Sequence, residues 1–95
     1  VFVDLQGNVY FLERGNNRIR FINSTNRIIS TIAGTGVGGF NGDNQLAINA
    51  QINFPDGIFV DLQGNIYFSD QNNQRIRFIN STNGIISTIA GTGSG

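Results

Sequence analysis

The sequence predicts an all-β fold of two four-stranded antiparallel sheets, and two observations support this prediction. The first is an internal repeat, in which residues 1–36 align without a gap with residues 58–93 and 28 of the 36 pairs are identical. The second is that each copy holds four short runs rich in Ile, Val, Phe and Tyr, which suit a pleated sheet. No stretch keeps a period of 3.6 residues, so no long helix is expected. We therefore divide the chain into one unit at residues 1–36, an insert at residues 37–57 and a second unit at residues 58–95.

The strands follow one another in the same order in both units. They are expected at residues 2–3, 9–12, 19–22 and 28–33 of the first unit, and at residues 57–60, 66–69, 76–79 and 85–90 of the second. The segments between them contain Gly, Asn, Asp and Ser, which favour turns because they accept left-handed backbone or hydrogen-bond to it. In the insert, residues 45–51 (QLAINAQ) are expected to form one or two helical turns.

Alternation within the strands places apolar side chains on both faces of a sheet. Val9 and Phe11 point to one face, and Tyr10 and Leu12 point to the other. A lone sheet would leave one of these faces in water, whereas stacking sheet on sheet covers both. Four-stranded sheets that are each covered by their neighbours form the blades of a β-propeller, which typically has about 4–8 blades.

Spaced motifs in the second unit resemble the NHL-repeat family of β-propellers. They are FPDGIFVD at residues 54–61, GNIYFSD at residues 64–70 and NQRIR at residues 73–77. The first unit matches as well, except at Glu13, where the family pattern prefers Asp. The insert, with Gly-Phe-x-Gly-Asp at residues 39–43, resembles the long linker of NHL proteins. The resemblance implies a propeller, usually six-bladed, with a central channel, of which this chain supplies two blades.

Two blades leave two apolar outer faces and cannot close a ring. Small chains with little core usually need a metal, a disulfide or oligomerisation, and the chain has no Cys and no His. We therefore expect copies of the chain to associate head to tail. Three copies would give six blades and a mass of about 31 kDa, and four copies, with eight blades, are the alternative. An unclosed assembly or a domain swap also stays open. The pattern begins without a Met, so we expect a fragment, natural or engineered.

The turns between the second and third strands are predicted to share a face with the insert. They hold most of the differences between the two units, and variation on a fixed scaffold fits a recognition surface, although relaxed drift of loops would also produce it. The polar, weakly charged character of this face suits a peptide or a glycan. The candidate ligand-binding residues are Arg14, Asn16, Asn17, Phe40, Asn41, Asp43, Gln71, Asn72 and Asn73.

The remaining charged residues are predicted to stabilise the fold. In each unit we expect the acid after the second strand to pair with the first arginine of the Arg-Ile-Arg motif. The second arginine is expected to pack its aliphatic stem on a neighbouring blade. The Asp after the first strand is expected to cap its turn. The acid–arginine pairs are Glu13 with Arg18 and Asp70 with Arg75, the second arginines are Arg20 and Arg77, and the capping residues are Asp4 and Asp61.

Composition limits the function. Without His or Cys, the chain lacks the commonest general base, zinc ligand and nucleophile, so we predict no catalytic residues, no metal and no cofactor. Its net charge of zero argues against nucleic-acid and membrane partners. The prediction is a non-catalytic repeat module that assembles with itself into a ring-shaped binding scaffold. The alternatives are a peptide- or glycan-binding piece of a larger NHL propeller, an RNA-binding propeller, and an enzyme like the six-bladed lyases and lactonases, which rely on His or metal-binding carboxylates.

Overall fold

The computed structural model describes residues 1–93 of the chain. Within this range the strands are β1 (Phe2–Val3), β2 (Val9–Glu13), β3 (Arg18–Ile22), β4 (Ile29–Ala33), β5 (Gln45–Leu46), β6 (Pro55–Val60), β7 (Ile66–Asp70), β8 (Arg75–Ile79) and β9 (Ile85–Ala90). Three short 3₁₀ turns cover Arg14–Asn16, Ala47–Asn49 and Gln71–Asn73. No helix among these residues has the length and apolar character needed to cross a membrane.

The strands form two antiparallel sheets, which confirms the predicted all-β class. The first has the order β1-β2-β3-β4, and the second has the order β6-β7-β8-β9-β5. The second sheet therefore has one strand more than predicted, because Gln45 and Leu46 of the insert pair with Ile86 and Ile85 at its outer edge. The helix predicted at residues 45–51 is wrong at its start, since the unpaired backbone groups of β9 recruit these two residues into a strand. Only the following 3₁₀ turn is helical.

The hairpins that join the second and third strands of each sheet have the same backbone. Each 3₁₀ turn ends on a residue in the left-handed region, Asn17 in the first unit and Gln74 in the second, both with φ of 56°. Gly34 has φ of 94°, and a Cβ there would collide with the backbone oxygen of Asn17. The repeated Gly-Thr-Gly that follows the fourth strand thus serves close backbone packing.

The core lies where the two sheets and the insert meet. The insert contributes Ala47, Ala50 and Ile52, which are at most 2% exposed, so it is part of the core. The other core side chains are Ile19 and Ala33 from the first sheet, and Val60, Ile66, Phe68, Ile79 and Ile86 from the second. Because the insert packs between the two sheets, its loops lie beside the hairpin turns of both units.

Candidate functional site

The insert contacts both hairpin turns, as the prediction of a shared face requires. The backbone N–H of Phe54 donates to Oδ1 of Asn17 at 2.8 Å. The backbone N–H of Asn72 donates to the oxygen of Asn53 at 3.1 Å. Nδ2 of Asn73 donates to the oxygen of Gly39 at 2.8 Å. The two turns and the insert therefore form one continuous surface, which we call the insert face.

A buried charge cluster lies beneath the insert face. The side chain of Arg77 is fully buried; its Nη1 donates to Oδ2 of Asp70 at 2.8 Å and its Nη2 to Oδ1 of Asp43 at 3.0 Å. Nη2 also donates to the oxygen of Gly42 at 3.2 Å. Asp70 accepts two further hydrogen bonds, from the backbone of Asn53 and from Nδ2 of Asn73, each at 2.8 Å. Buried charges are tolerated only when paired and hydrogen-bonded, so this cluster fixes the insert to the second sheet.

Phe40 and Asp43 of the insert complete the cluster. The guanidinium carbon of Arg75 lies 3.7 Å from the centroid of the Phe40 ring, and that of Arg77 lies 4.9 Å from it. Oδ1 of Asp43 accepts a second hydrogen bond, from Oγ1 of Thr88 at 2.9 Å. The ring of Phe40 is thus engaged in cation–π contacts within the chain.

The ion pairs join different partners from those predicted. In each unit the acid that ends the second strand pairs with the second arginine of the Arg-Ile-Arg motif and not with the first. The pairs are Glu13 with Arg20, at 3.3 Å, and Asp70 with Arg77, at 2.8 Å. The first arginine, Arg18 or Arg75, instead donates to the backbone oxygen of the Thr in the Gly-Thr-Gly segment. The register places the first arginine directly opposite the acid and the second arginine diagonally from it on the same sheet face, which is still within reach of a long side chain.

Two of the remaining candidate ligand-binding residues, Asn41 and Arg14, make contacts within the chain that stabilise the insert. Oδ1 of Asn41 accepts hydrogen bonds from Gln45 and from the backbone of Gln51, at 2.8 and 2.9 Å. Arg14 forms an ion pair with Asp56 at the surface. Asp56 was not singled out from the sequence, because nothing in the pattern links two residues 42 positions apart.

A cavity of about 620 Å³ adjoins the Arg14–Asp56 pair on the insert face. Within residues 1–93, the side chains of the candidates Asn16 and Gln71 make no hydrogen bond and are exposed. The same range holds no group of three Asp, Glu, His or Cys residues that could bind a metal ion. The insert face therefore offers a ligand a cavity and a few free polar groups.

The opposite face carries the two Asp-Leu-Gln-Gly-Asn turns. Burial raises the pKa of Asp61, but hydrogen bonds donated by Asn65, by the backbone of Gln63 and by the Tyr67 hydroxyl outweigh it, so the pKa lies below its usual 3.8. Asp61 thereby caps its turn, as predicted. Between the two turns lies a largely apolar cavity of about 500 Å³.

The contact between the two sheets joins opposite faces of equivalent units. The first sheet contributes Ile19 and Ile32, and the second contributes Val60 and Ile86. The repeat places the equivalents of all four on the outside of the chain. They are Ile76 and Ile89 on the outer face of the second sheet, and Val3 and Ile29 on the outer face of the first, each 39–57% exposed. Both halves of the internal contact are therefore present a second time, facing outwards.

Comparison with known proteins identifies the type of repeat. Residues 37–94 match the profile of the teneurin NHL domain. The chain is 31% identical over 78 residues to the Protein SUPPRESSOR OF QUENCHING 1, chloroplastic, of Arabidopsis thaliana, a match that covers 82% of the chain and 7% of that protein.

Solved structures share the fold. A structural genomics protein of unknown function from Bacteroides thetaiotaomicron superimposes with a TM-score of 0.76 at 24% identity, over 90% of this chain and 21% of that one. A second protein from the same bacterium, which carries a provisional assignment as a phosphatase, superimposes with a TM-score of 0.69 at 20% identity. This match covers 95% of the present chain and 22% of that protein. This chain therefore spans about a fifth or less of these three proteins.

Proposed function

Because the chain belongs to the teneurin NHL domain family, we propose that it is a non-catalytic propeller repeat module that associates head to tail with copies of itself into a ring-shaped binding scaffold. The observation that carries the proposal is the pair of outward-facing surfaces equivalent to the two halves of the internal contact. A contact that already holds two blades together within the chain can form again between chains. Three copies would close a six-bladed ring, with four copies as the alternative.

The chemistry of the faces supports association through them. Ile89 is 54% exposed, whereas its equivalent Ile32 packs against the core. Full burial of such a side chain is worth about 1.5–3 kcal/mol, before the cost of association is subtracted. Exposed apolar patches of this kind commonly mark interaction sites.

A binding role for the insert face is a second candidate function. The cavity beside Arg14 and Asp56 and the free side chains of Asn16 and Gln71 favour it. These groups suit a neutral polar ligand such as a peptide or a glycan. An enzymatic role has less support, since the likeness to the protein with the phosphatase assignment extends to the fold alone and the chain contains no His or Cys.

Solution mass tests the association. We expect light scattering on a size-exclusion column to give about three times the chain mass of 10.3 kDa. Ile89→Arg should reduce the mass to that of the monomer, because a charge on the contact face cannot be buried without a partner. The matched control is Leu62→Arg. It places the same charge on a more exposed apolar residue, in the Asp-Leu-Gln-Gly-Asn turn opposite the insert face. A monomeric wild type, or an equal effect of both variants, would refute the proposal.

A further inference from the structure

We propose that the outer edge of the first sheet binds an extended peptide segment with the chemistry of the chain's own insert, Gly-Phe-x-Gly-Asp-x-Gln-Leu. The site consists of the edge of β4 around Ile29 together with Arg18, Arg20 and Thr31. This binding goes beyond the proposed ring, because it needs only a single folded chain.

Three kinds of contact hold the insert on the second sheet. The backbone of Asn44 donates to Ile86 at 2.8 Å and that of Ala47 to Gly84 at 2.9 Å, so the segment extends the sheet by a strand. The ring of Phe40 lies against two guanidinium groups. The carboxylate of Asp43 accepts from an arginine and a threonine. The second sheet supplies these contacts with one strand edge and a few side chains. Each of these groups has an equivalent position in the first unit, where it can be examined for the same role.

The first sheet has the same groups at the same positions. Arg75, Arg77 and Thr88, which hold Phe40 and Asp43, correspond to Arg18, Arg20 and Thr31, and the edge residues Ile85 and Ile86 correspond to Ile28 and Ile29. The equivalent of Asn73, whose Nδ2 donates to Gly39, is Asn16, whose side chain makes no hydrogen bond within residues 1–93. An edge, two cations and a hydroxyl are thus arranged as they are around the insert.

These groups are exposed in the first sheet. The side chain of Arg20 is 23% exposed, whereas that of Arg77 is fully buried. Ile28 and Ile29 are 62% and 46% exposed, whereas Ile86 is fully buried. Within residues 1–93 no strand pairs with the outer edge of β4. An open strand edge that carries apolar side chains favours pairing with another extended segment.

Two differences between the units do not block the segment. Arg27 replaces Gly84, but both have left-handed backbone, with φ of 62° and 72°. A Cβ at Gly84 would lie 3.7 Å from the side chain of Leu46, which is an ordinary contact. Glu13 replaces Asp70 and keeps the carboxylate that pairs with the arginine.

The chain's own insert at residues 37–57 is already held in place and is not this segment. The chain's own insert is tied to both sheets, since the oxygen of Ala47 accepts from the backbone of Gly34 at 3.0 Å while the preceding residues pair with β9. It cannot also reach the edge of β4 near Ile29. The occupant is therefore a second segment of this sequence type, recognised by its Phe ring, its Asp carboxylate and its backbone, and a peptide added in trans can supply it.

The test is a titration of a fluorescently labelled peptide with the sequence of residues 37–54. The chain used carries Ile89→Arg, so that ring formation does not contribute and the two proposals can fail separately. We expect saturable binding of one peptide per chain, measured by fluorescence anisotropy. Peptides with Phe40→Ala or Asp43→Asn should bind at least tenfold more weakly, because each removes one of the three contacts. No binding, or equal binding of all three peptides, would overturn the proposal.

A matched pair of variants locates the peptide. Thr31→Val should weaken binding at least threefold, because the hydroxyl for the Asp of the peptide is lost, while Thr88→Val should leave it unchanged. If the peptide instead displaces the insert from the second sheet, Thr88→Val alters its binding and Thr31→Val does not, which would also overturn the proposal. Thermal unfolding of both variants confirms that they are folded during the titration.

Discussion

Two arginines with the same neighbours along the chain have different surroundings in the fold. Arg77 is buried with two carboxylates, whereas Arg20 keeps one carboxylate, at 3.3 Å, and is partly exposed. The motif Arg-Ile-Arg-Phe-Ile is identical in both units, so the sequence alone predicts the same role for both residues. The difference comes from the insert, because its Phe40 and Asp43 contact Arg77, whereas Arg20 has no such insert partner within residues 1–93. We therefore expect substitutions of the two arginines to change the free energy of unfolding by different amounts.

Arg77→Met should cost about 3–5 kcal/mol, because it leaves Asp70 as an unpaired buried charge. Arg20→Met should cost less than about 1 kcal/mol, since a partly exposed pair is screened by water. Urea-induced unfolding of the two variants measures the difference, and complete loss of the folded state of Arg77→Met agrees with the expectation. Equal, small losses would show that the buried cluster does not hold the insert.

The hydrogen bonds of the Asp61 carboxylate predict that the free energy of unfolding depends on pH in the acidic range. Its pKa in the folded chain lies below the usual 3.8, so its hydrogen bonds stabilise the fold above that pH and are lost as the pH falls through the lower folded value. Asp61→Asn should therefore be less stable than wild type at pH 7, and the gap should close as the pH falls below the usual 3.8 and through the lower folded pKa.

The measurement for the Asp61 prediction is the free energy of unfolding between pH 2 and 7. Asp56→Asn is the control, because it removes a carboxylate from an exposed ion pair and not from a cap. A gap between wild type and Asp61→Asn that stays constant with pH would contradict the capping role.

At the scale of elements, the repeat made most of the strands predictable and left the fifth strand unpredicted. Eight strands lie within about two residues of their predicted positions, because two copies of one apolar pattern support each assignment. The strand at Gln45–Leu46 has only two residues, and its existence depends on an open edge 40 positions away. The pairing of Asp70 with Arg77 was missed for a similar reason, since Arg75 is nearer to Asp70 in sequence, whereas Asp43 of the insert, which also holds Arg77, lies 34 positions from it. Local pattern predicts elements, whereas long-range packing decides partners.

The insert behaves as a core element, and its two isoleucines test this. Ile52 is fully buried between the sheets, so Ile52→Ala should cost about 2–5 kcal/mol. Ile48 lies on the 3₁₀ turn and is half-exposed, so Ile48→Ala should change the stability by less than about 0.5 kcal/mol. Chemical denaturation of both variants gives the comparison. A small loss for Ile52→Ala would mean that the insert is a surface loop.

At the scale of the whole molecule, each unit contributes one face to the internal contact and leaves the other face outside. A contact between different faces is heterologous, so it propagates from chain to chain and ends only when a ring closes. A contact of one face with its own copy would instead stop at a dimer. The two arrangements make opposite predictions for chains in which a single face is altered.

Two variants that each lack one face separate these arrangements. Ile89→Arg alters the outer face of the second sheet, and Val3→Arg alters the outer face of the first. Each variant alone should be monomeric if the contact is head to tail, because every such contact needs one face of each kind. An equimolar mixture should give a complex of twice the chain mass and nothing larger, since one intact contact remains and the two altered faces carry like charges that repel. If either variant alone forms a dimer, the contact joins identical faces, and a closed ring of blades cannot form through it.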